Sequence, residues 1–179
     1  MSEDHQGLGK TSPRGTWKSA IKLLRSILRA RKVGLLRLRP AHSSDSLRCL
    51  REECPRHCCW AFDTVVVDQE DLKTLPRKGV RTRGLLQLRQ RPYPSPTCSA
   101  CYFLERGSCT IYSKRPSACR EYPWYRFGDK LFVDRGCPGI SEDSAGERPD
   151  PTTLQDASRY FSEIPFPLRR IVLWALKNI

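Results

Sequence analysis

"CSACYFLERGSCTIYSKRPSACREYPW", residues 98–124, sets four cysteines among tyrosines, arginines and turn-forming residues, a mixture too polar for an ordinary core. Its first half reads as a hairpin: two short apolar and aromatic arms around Glu105-Arg106-Gly107-Ser108, with Gly107 free to take a positive φ. "RPSACREY" then opens a helical turn, with Pro116 at the first helical position, where a missing N–H costs nothing, and Pro123 ends it. "WYRFGDKLFV", residues 124–133, reads as a second hairpin that turns at Gly128-Asp129. Upstream lies "CLREECPRHCCW", residues 49–60, and downstream "CPG", residues 137–139, completes nine cysteines in 179 residues.

An apolar fraction of 39%, a charged fraction of 28% and a single methionine allow only a modest core. Small domains of this kind often need metal or disulfides for stability. The start, "MSEDHQGLGKTSPRG", is acidic and then polar, without the apolar run of a secretory signal. No stretch approaches the roughly 20 apolar residues that span a bilayer. The chain therefore reads as cytoplasmic, where thiols stay reduced and clustered cysteines bind metal more often than they pair. The odd count and the adjacent Cys58 and Cys59 also suit a disulfide framework poorly. Thiolate is a soft ligand matched to zinc and to iron–sulfur clusters, each held by four protein ligands. The expected fold class is α+β, small and irregular, with short hairpins and helical turns organised around cysteine-ligated metal and flanked by helices.

The formal charge of +13 is concentrated at the start: residues 1–40 hold ten Lys and Arg against Glu3 and Asp4. Within this part Trp17, Ile21, Leu24 and Leu28 fall at helical spacing, while Lys18, Lys22, Arg25 and Arg29 line another face. The plain reading packs the apolar stripe on the domain and solvates the charges. The sharper ones put residues 15–40 against an anionic membrane surface or nucleic acid. No residue up to position 40 is a soft ligand, so the cluster is expected to form without this segment. Further on, Thr64 to Val67 reads as a short strand, followed by a helix with Asp68 as N-cap and Glu70 and Asp71 in its first turn. Residues 76–97 read as a partly extended connector. Helical segments are expected around Thr153–Glu163 and Pro167–Lys177, the second with Leu168, Ile171, Val172, Ala175 and Ile179 on one core face. Three parts result: a basic N-terminal extension with an amphipathic helix (1–44), a cysteine-cluster domain (45–141), and a polar linker with C-terminal helices (142–179).

Within the cysteine domain, Cys54-x3-Cys58 and Cys98-x2-Cys101 are closely spaced pairs suited to opening a metal site, and Cys109, Cys119 and Cys137 arrive singly from loop positions. "CYFLERGSCTIYSKRPSACREYPW" followed by "CPG" closely resembles the YkgJ-type cysteine-cluster family of zinc- or iron-chelating domains, over about residues 49–140. The family pattern opens with C-x2-C-x2-CC, where this chain has Cys49-x4-Cys54-x3-Cys58-Cys59. Carried over residue by residue, the resemblance implies ligands at Cys54, Cys58, Cys59, Cys101, Cys109, Cys119 and Cys137, with Cys49 as the eighth. Cys98 has no counterpart and reads as an ordinary thiol. Eight thiolates serve two four-ligand sites, or one cluster with spare or resolving thiols. Arg115 and Arg120 belong to the same motif; they either offset the negative charge of a thiolate site or cap and solvate the short helix. His57 is an alternative nitrogen ligand.

Glycine-rich phosphate loops, G-x-S-x-G and H-E-x-x-H are all missing from the sequence, and its cysteine spacing does not fit a radical-SAM loop. The first reading is a cytoplasmic metal-binding protein, redox or structural in role, acting with an unidentified protein partner. An iron–sulfur cluster, 4Fe–4S favoured, is preferred over zinc because singly arriving, widely scattered cysteines suit a cluster better than a compact zinc knuckle. Two alternatives stand beside it. One is a protein-modifying enzyme related to iron–sulfur lysine N-methylases, implied by a resemblance in the cysteine region. The other is a nucleic-acid-binding zinc module using the basic helix, although the C-x2-C…C-x2-C ribbon spacing is missing.

Overall fold

The computed structural model describes residues 13–32, 37–50, 53–54, 58–61, 65–81, 87–92, 99–143, 145–162 and 164–177. Helix α1 (Pro13–Lys32) leads to strands β1 (Leu38–Pro40) and β2 (Ser46–Leu47), then the short helix α2 (Cys58–Ala61). Four two- or three-residue strands follow: β3 (Val80–Arg81), β4 (Gln87–Leu88), β5 (Gln90–Pro92) and β6 (Ser99–Cys101). Next come β7 (Leu104–Glu105), β8 (Ser108–Cys109), helix α3 (Ser117–Glu121), β9 (Trp124–Phe127), β10 (Lys130–Asp134), β11 (Ile140–Ser141) and helix α4 (Phe166–Lys177). The fold is α+β, small and irregular, as its many turn residues and short apolar runs dictate.

Among the described residues, one sheet of three strands has the order β1-β10-β9, antiparallel throughout, with Leu38 opposite Asp134 and Val133 opposite Trp124. Pro40, which has no N–H to donate, lies on the edge strand β1, where that loss is tolerated. Alternation along the strands sends side chains to two cores. Phe127 and Phe132 join α1 and α4 in the main core, with Tyr125 packed against it, whereas Trp124 and Val133 pack with Leu154 on the other side. The other strands form antiparallel pairs, β2 with β11, β3 with β4, β5 with β6 and β7 with β8. Leu47 and Ile140 of the β2–β11 pair pack against Trp124, Val133 and Leu154, whereas a separate core of Val67, Leu75, Val80, Leu88, Cys101 and Phe103 draws on the later pairs, with Cys59, Cys109 and Cys119 packed against it.

Both expected hairpins form. The first turns through Arg106 and Gly107, both at positive φ, and the second through Gly128, also at positive φ. Pro116 lies one position earlier than expected, as the extended N-cap of α3. The strand expected near residues 64–67 reduces to a single bridge between Val66 and Gln87, Thr64 lying outside the described residues. After Asp68 there is one 3-10 turn (Asp71–Lys73) rather than a helix, with the Asp71 N–H donating to Asp68 Oδ1 at 2.7 Å. Thr153–Glu163 likewise resolves into 3-10 turns at Pro151–Thr153 and Ala157–Phe161.

The face that α1 buries is not the one its apolar periodicity selects. Ala20, Leu23 and Ile27 enter the main core, with Leu24 partly buried, while Trp17, Ile21 and Leu28 stay 41%, 39% and 46% exposed. The sequence stripe therefore marks a second apolar face. In α4, Leu168, Val172 and Ala175 are buried as expected, Ile171 is exposed, and Ile179 lies outside the described residues. Pro13–Lys32 and Leu38–Pro40 thus supply a core helix and a sheet strand.

A buried carboxylate fastens this segment. Arg39 grips Asp45 with two hydrogen bonds, Nη1 to Oδ2 at 2.7 Å and Nη2 to Oδ1 at 2.6 Å, and the His42 N–H adds a third at 2.6 Å. Chiefly through the Arg39 hydrogen bond, the Asp45 carboxyl is held below its ordinary value. A depressed carboxylate contributes stability above its unfolded value of about 3.9 and loses it as pH falls through the folded value. Asp45→Asn is expected to cost about 3 kcal/mol at neutral pH. Urea midpoints measured between neutral and acid pH should converge for the two proteins as acid protonates Asp45 in the parent.

Candidate metal centre

Eight cysteines spread from residue 49 to residue 137 line one cavity of about 310 Å³: Cys49, Cys54, Cys58, Cys59, Cys101, Cys109, Cys119 and Cys137. Its wall also includes Leu50, Leu88, Phe103, Ile111, Tyr112 and Arg115, so the thiols sit in a largely apolar surround. The eight are thiols rather than disulfides, and they range from buried Cys101 to exposed Cys49. Cys98 and His57 lie outside the described residues. Among the described residues, no three His, Cys, Asp or Glu side chains stand already arranged to hold a metal ion.

Local devices place most of these cysteines. Cys58 and Cys59 open α2, which packs on β6, whose last residue is Cys101. Cys109 lies on β8 opposite Leu104, where the tight Arg106-Gly107 turn sets it. Cys119 is carried by α3, whose start is capped from a distance. The buried Asp71 Oδ1 accepts from Ser117 N at 2.9 Å and from Ser117 Oγ at 3.1 Å, 46 positions along the chain. Arg120 braces the same corner by donating to the Arg115 carbonyl and, at 2.9 Å, to Ser117 Oγ. The cavity lining includes Arg115 but not Arg120. Cys137 follows a turn organised by buried Asp134, whose Oδ1 accepts from Arg37 N and Gly136 N, both at 2.8 Å. Sequence reading missed the positioning roles of Asp71 and Asp134, because Ser117 and Arg37 lie 46 and 97 positions away along the chain.

The glycine of "CPG" also has a structural reason. A Cβ on Gly139 would lie 2.4 Å from the Arg48 carbonyl oxygen, a backbone atom that cannot swing aside. That close approach is locked by the Arg48 N–H donating to the Gly139 carbonyl at 2.9 Å, and it brings the Cys49 and Cys137 loops together. Gly139→Ala is expected to cost about 2 kcal/mol through overpacking, lowering the melting midpoint by roughly 6 °C. Bound metal, measured on the same preparation, should fall below its parent stoichiometry.

Electrostatics divide the thiols into two groups. Cys58 is pulled down to about 7, first by the hydrogen bond from the Cys59 thiol and also by the Arg115 guanidinium. Cys59 is pushed up by its hydrogen bonding with Cys101 and Cys58, which favours the thiol over the thiolate, and by burial. Burial raises Cys119 and Cys109, with Cys58 and Cys101 pushing them further and Arg115 opposing. Burial likewise raises Cys137 to about 11, but the thiols acting on it are Cys54 and Cys49. Cys58, Cys59, Cys101, Cys109 and Cys119 thus form an inner group beside Arg115, and Cys49, Cys54 and Cys137 a second group. Thiols ligate as thiolates, so a cation bound here would displace protons as it binds.

A second, smaller cavity of about 120 Å³ lies against four of the inner cysteines. Cys58, Cys59, Cys101 and Cys119 line it on one side, and Leu23 and Ile27 of α1 with Tyr125, Tyr160 and Phe161 also line it. The amphipathic helix therefore backs the cysteine site directly.

A small α+β fold whose cysteines converge on an apolar cavity beside an arginine defines a cysteine-cluster protein, and the donor set suits soft metal. The family model "CxxCxxCC: Putative zinc- or iron-chelating domain" matches residues 48–138, just over half the chain, and the chain belongs to that family. No curated protein matches it, and no solved structure does. Among the described residues, no helix is long and apolar enough to cross a membrane.

Proposed function

We infer that the protein holds an iron–sulfur cluster, four-iron in preference, through four of the five inner cysteines, in a redox or structural role served to a protein partner in the cytoplasm. The observation that carries this reading is the ring of eight thiols around one cavity of about 310 Å³. A cavity of this size ringed by singly arriving cysteines suits a multi-atom cluster, which spans wider gaps between ligands than a single zinc ion does. Such a cluster would supply one-electron chemistry, or simply cross-link the elements that carry its ligands. The chain's own part is to place the thiolates, to offset their charge with Arg115, and to keep water out with Phe103, Ile111 and Leu88.

The test is protein purified without oxygen and analysed for iron, zinc and acid-labile sulfide. It is expected to be brown, with broad visible absorption that bleaches on reduction and sulfide in proportion to iron. Colourless protein with tight zinc and no sulfide, even after anaerobic reconstitution, would defeat the preference for iron–sulfur.

A further inference from the structure

Helix α1 presents three faces where an ordinary surface helix presents two. At about 100° per residue, the buried Ala20, Leu23 and Ile27 centre roughly 100° from exposed Trp17, Ile21 and Leu28. Roughly 90° further round lie the exposed cations Lys18, Lys22 and Arg25. One side is thus committed to the protein core, the next is an apolar stripe facing outward, and the third is basic. Helix α4 packs alongside α1 and itself carries exposed Ile171 and Trp174, the latter 62% exposed.

We propose that this face is a docking surface for an anionic lipid bilayer, with α1 lying in the plane of the headgroups. The geometry matches an interfacial helix held by its protein on one flank. The outward stripe inserts its apolar side chains, Trp17 sits at the boundary between headgroup and acyl chain, and the cations on the other flank reach anionic headgroups. Charge complementarity selects the occupant: residues 1–40 hold ten Lys and Arg against two acidic residues. Basic segments are drawn to anionic membrane surfaces over about a Debye length. Nucleic acid would satisfy the cations but leave Ile21 and Leu28 facing water. A second copy of this basic face would oppose like charges.

The experiment is flotation of the full-length, metal-loaded protein with vesicles of phosphatidylcholine alone or with about 30 % phosphatidylserine. Binding is expected only with the anionic lipid and should fall at least tenfold, roughly, on raising salt to about 0.5 M. Trp17→Gln with Ile21→Gln should weaken vesicle binding by roughly tenfold or more through the lost apolar insertion. Neither residue lines either cavity, so the metal content of this variant should match the parent. No flotation with anionic vesicles would overturn the proposal. So would a double variant that floats as well as the parent, since charge alone would then suffice. Salt-sensitive binding to duplex DNA without vesicle binding would reassign the cations to nucleic acid. A concentration-dependent dimer that the double variant abolishes, again without vesicle binding, would make the stripe a self-association surface.

Discussion

A chain shortened to begin at His42 is expected to lose its cooperative fold, and stoichiometric metal with it. The shortened chain lacks the buried Leu23, Ile27 and Leu38, each of which is at most 7% exposed. At about 2 kcal/mol for each large apolar side chain removed from the core, the loss is about 6 kcal/mol. A folded domain is stabilised by only about 5–15 kcal/mol in total, so this loss is decisive. The truncation also removes Arg39, leaving Asp45 buried without its cation, and strips β1 from the edge of β10. Finally it opens the smaller cavity behind Cys58, Cys59, Cys101 and Cys119, where Leu23 and Ile27 form part of the wall. Circular dichroism on heating, limited proteolysis and metal analysis of the shortened chain check this together. A folded, protease-resistant protein with full metal content would show instead that the segment is an accessory, as the cysteine positions alone imply.

Cys101→Ser and Cys119→Ser are expected to be the most damaging single substitutions in the cysteine region. Each removes a donor from the inner group and leaves a hydroxyl in an apolar surround packed on Leu88 and Phe103. Structural metal sites supply on the order of 10 kcal/mol to small domains, more than the short strands here can replace. Both variants should therefore lose most of their metal and become aggregated or protease-sensitive. Cys49→Ser should be milder, because Cys49 is exposed and belongs to the second group. Cys98→Ser should leave metal content close to the parent. Equal loss at Cys98 and Cys101 would overturn the assignment of Cys98 as a bystander, and full metal retention in Cys101→Ser would remove the inner group as the site.

Helix α1 shows how far a one-dimensional pattern reaches. The periodicity of Trp17, Ile21, Leu24 and Leu28 correctly marks an amphipathic helix, but a hydrophobic pattern records only that an apolar face exists. Which face is buried depends on what packs against it, and α4 and the sheet select small Ala20 with Leu23 and Ile27. Asp71 teaches the same point from the polar side. In sequence it is an acidic residue in the first turn of a local helix, whereas its carboxylate is spent on Ser117, far along the chain.

Local chemistry was therefore settled by the sequence: the turn at Arg106-Gly107, the turn at Gly128, the Pro-started helix carrying Cys119, and the soft-ligand character of residues 48–138. These follow from steric limits on φ, from proline's missing donor and from the polarisability of sulfur, all of which act within a few residues. Only the tertiary structure decided that eight cysteines share one cavity, that α1 lines the smaller cavity behind four of them, and that Gly139 is small because the Arg48 carbonyl approaches. Those outcomes depend on close packing between segments distant in sequence, where the space one side chain leaves fixes what its neighbour can be.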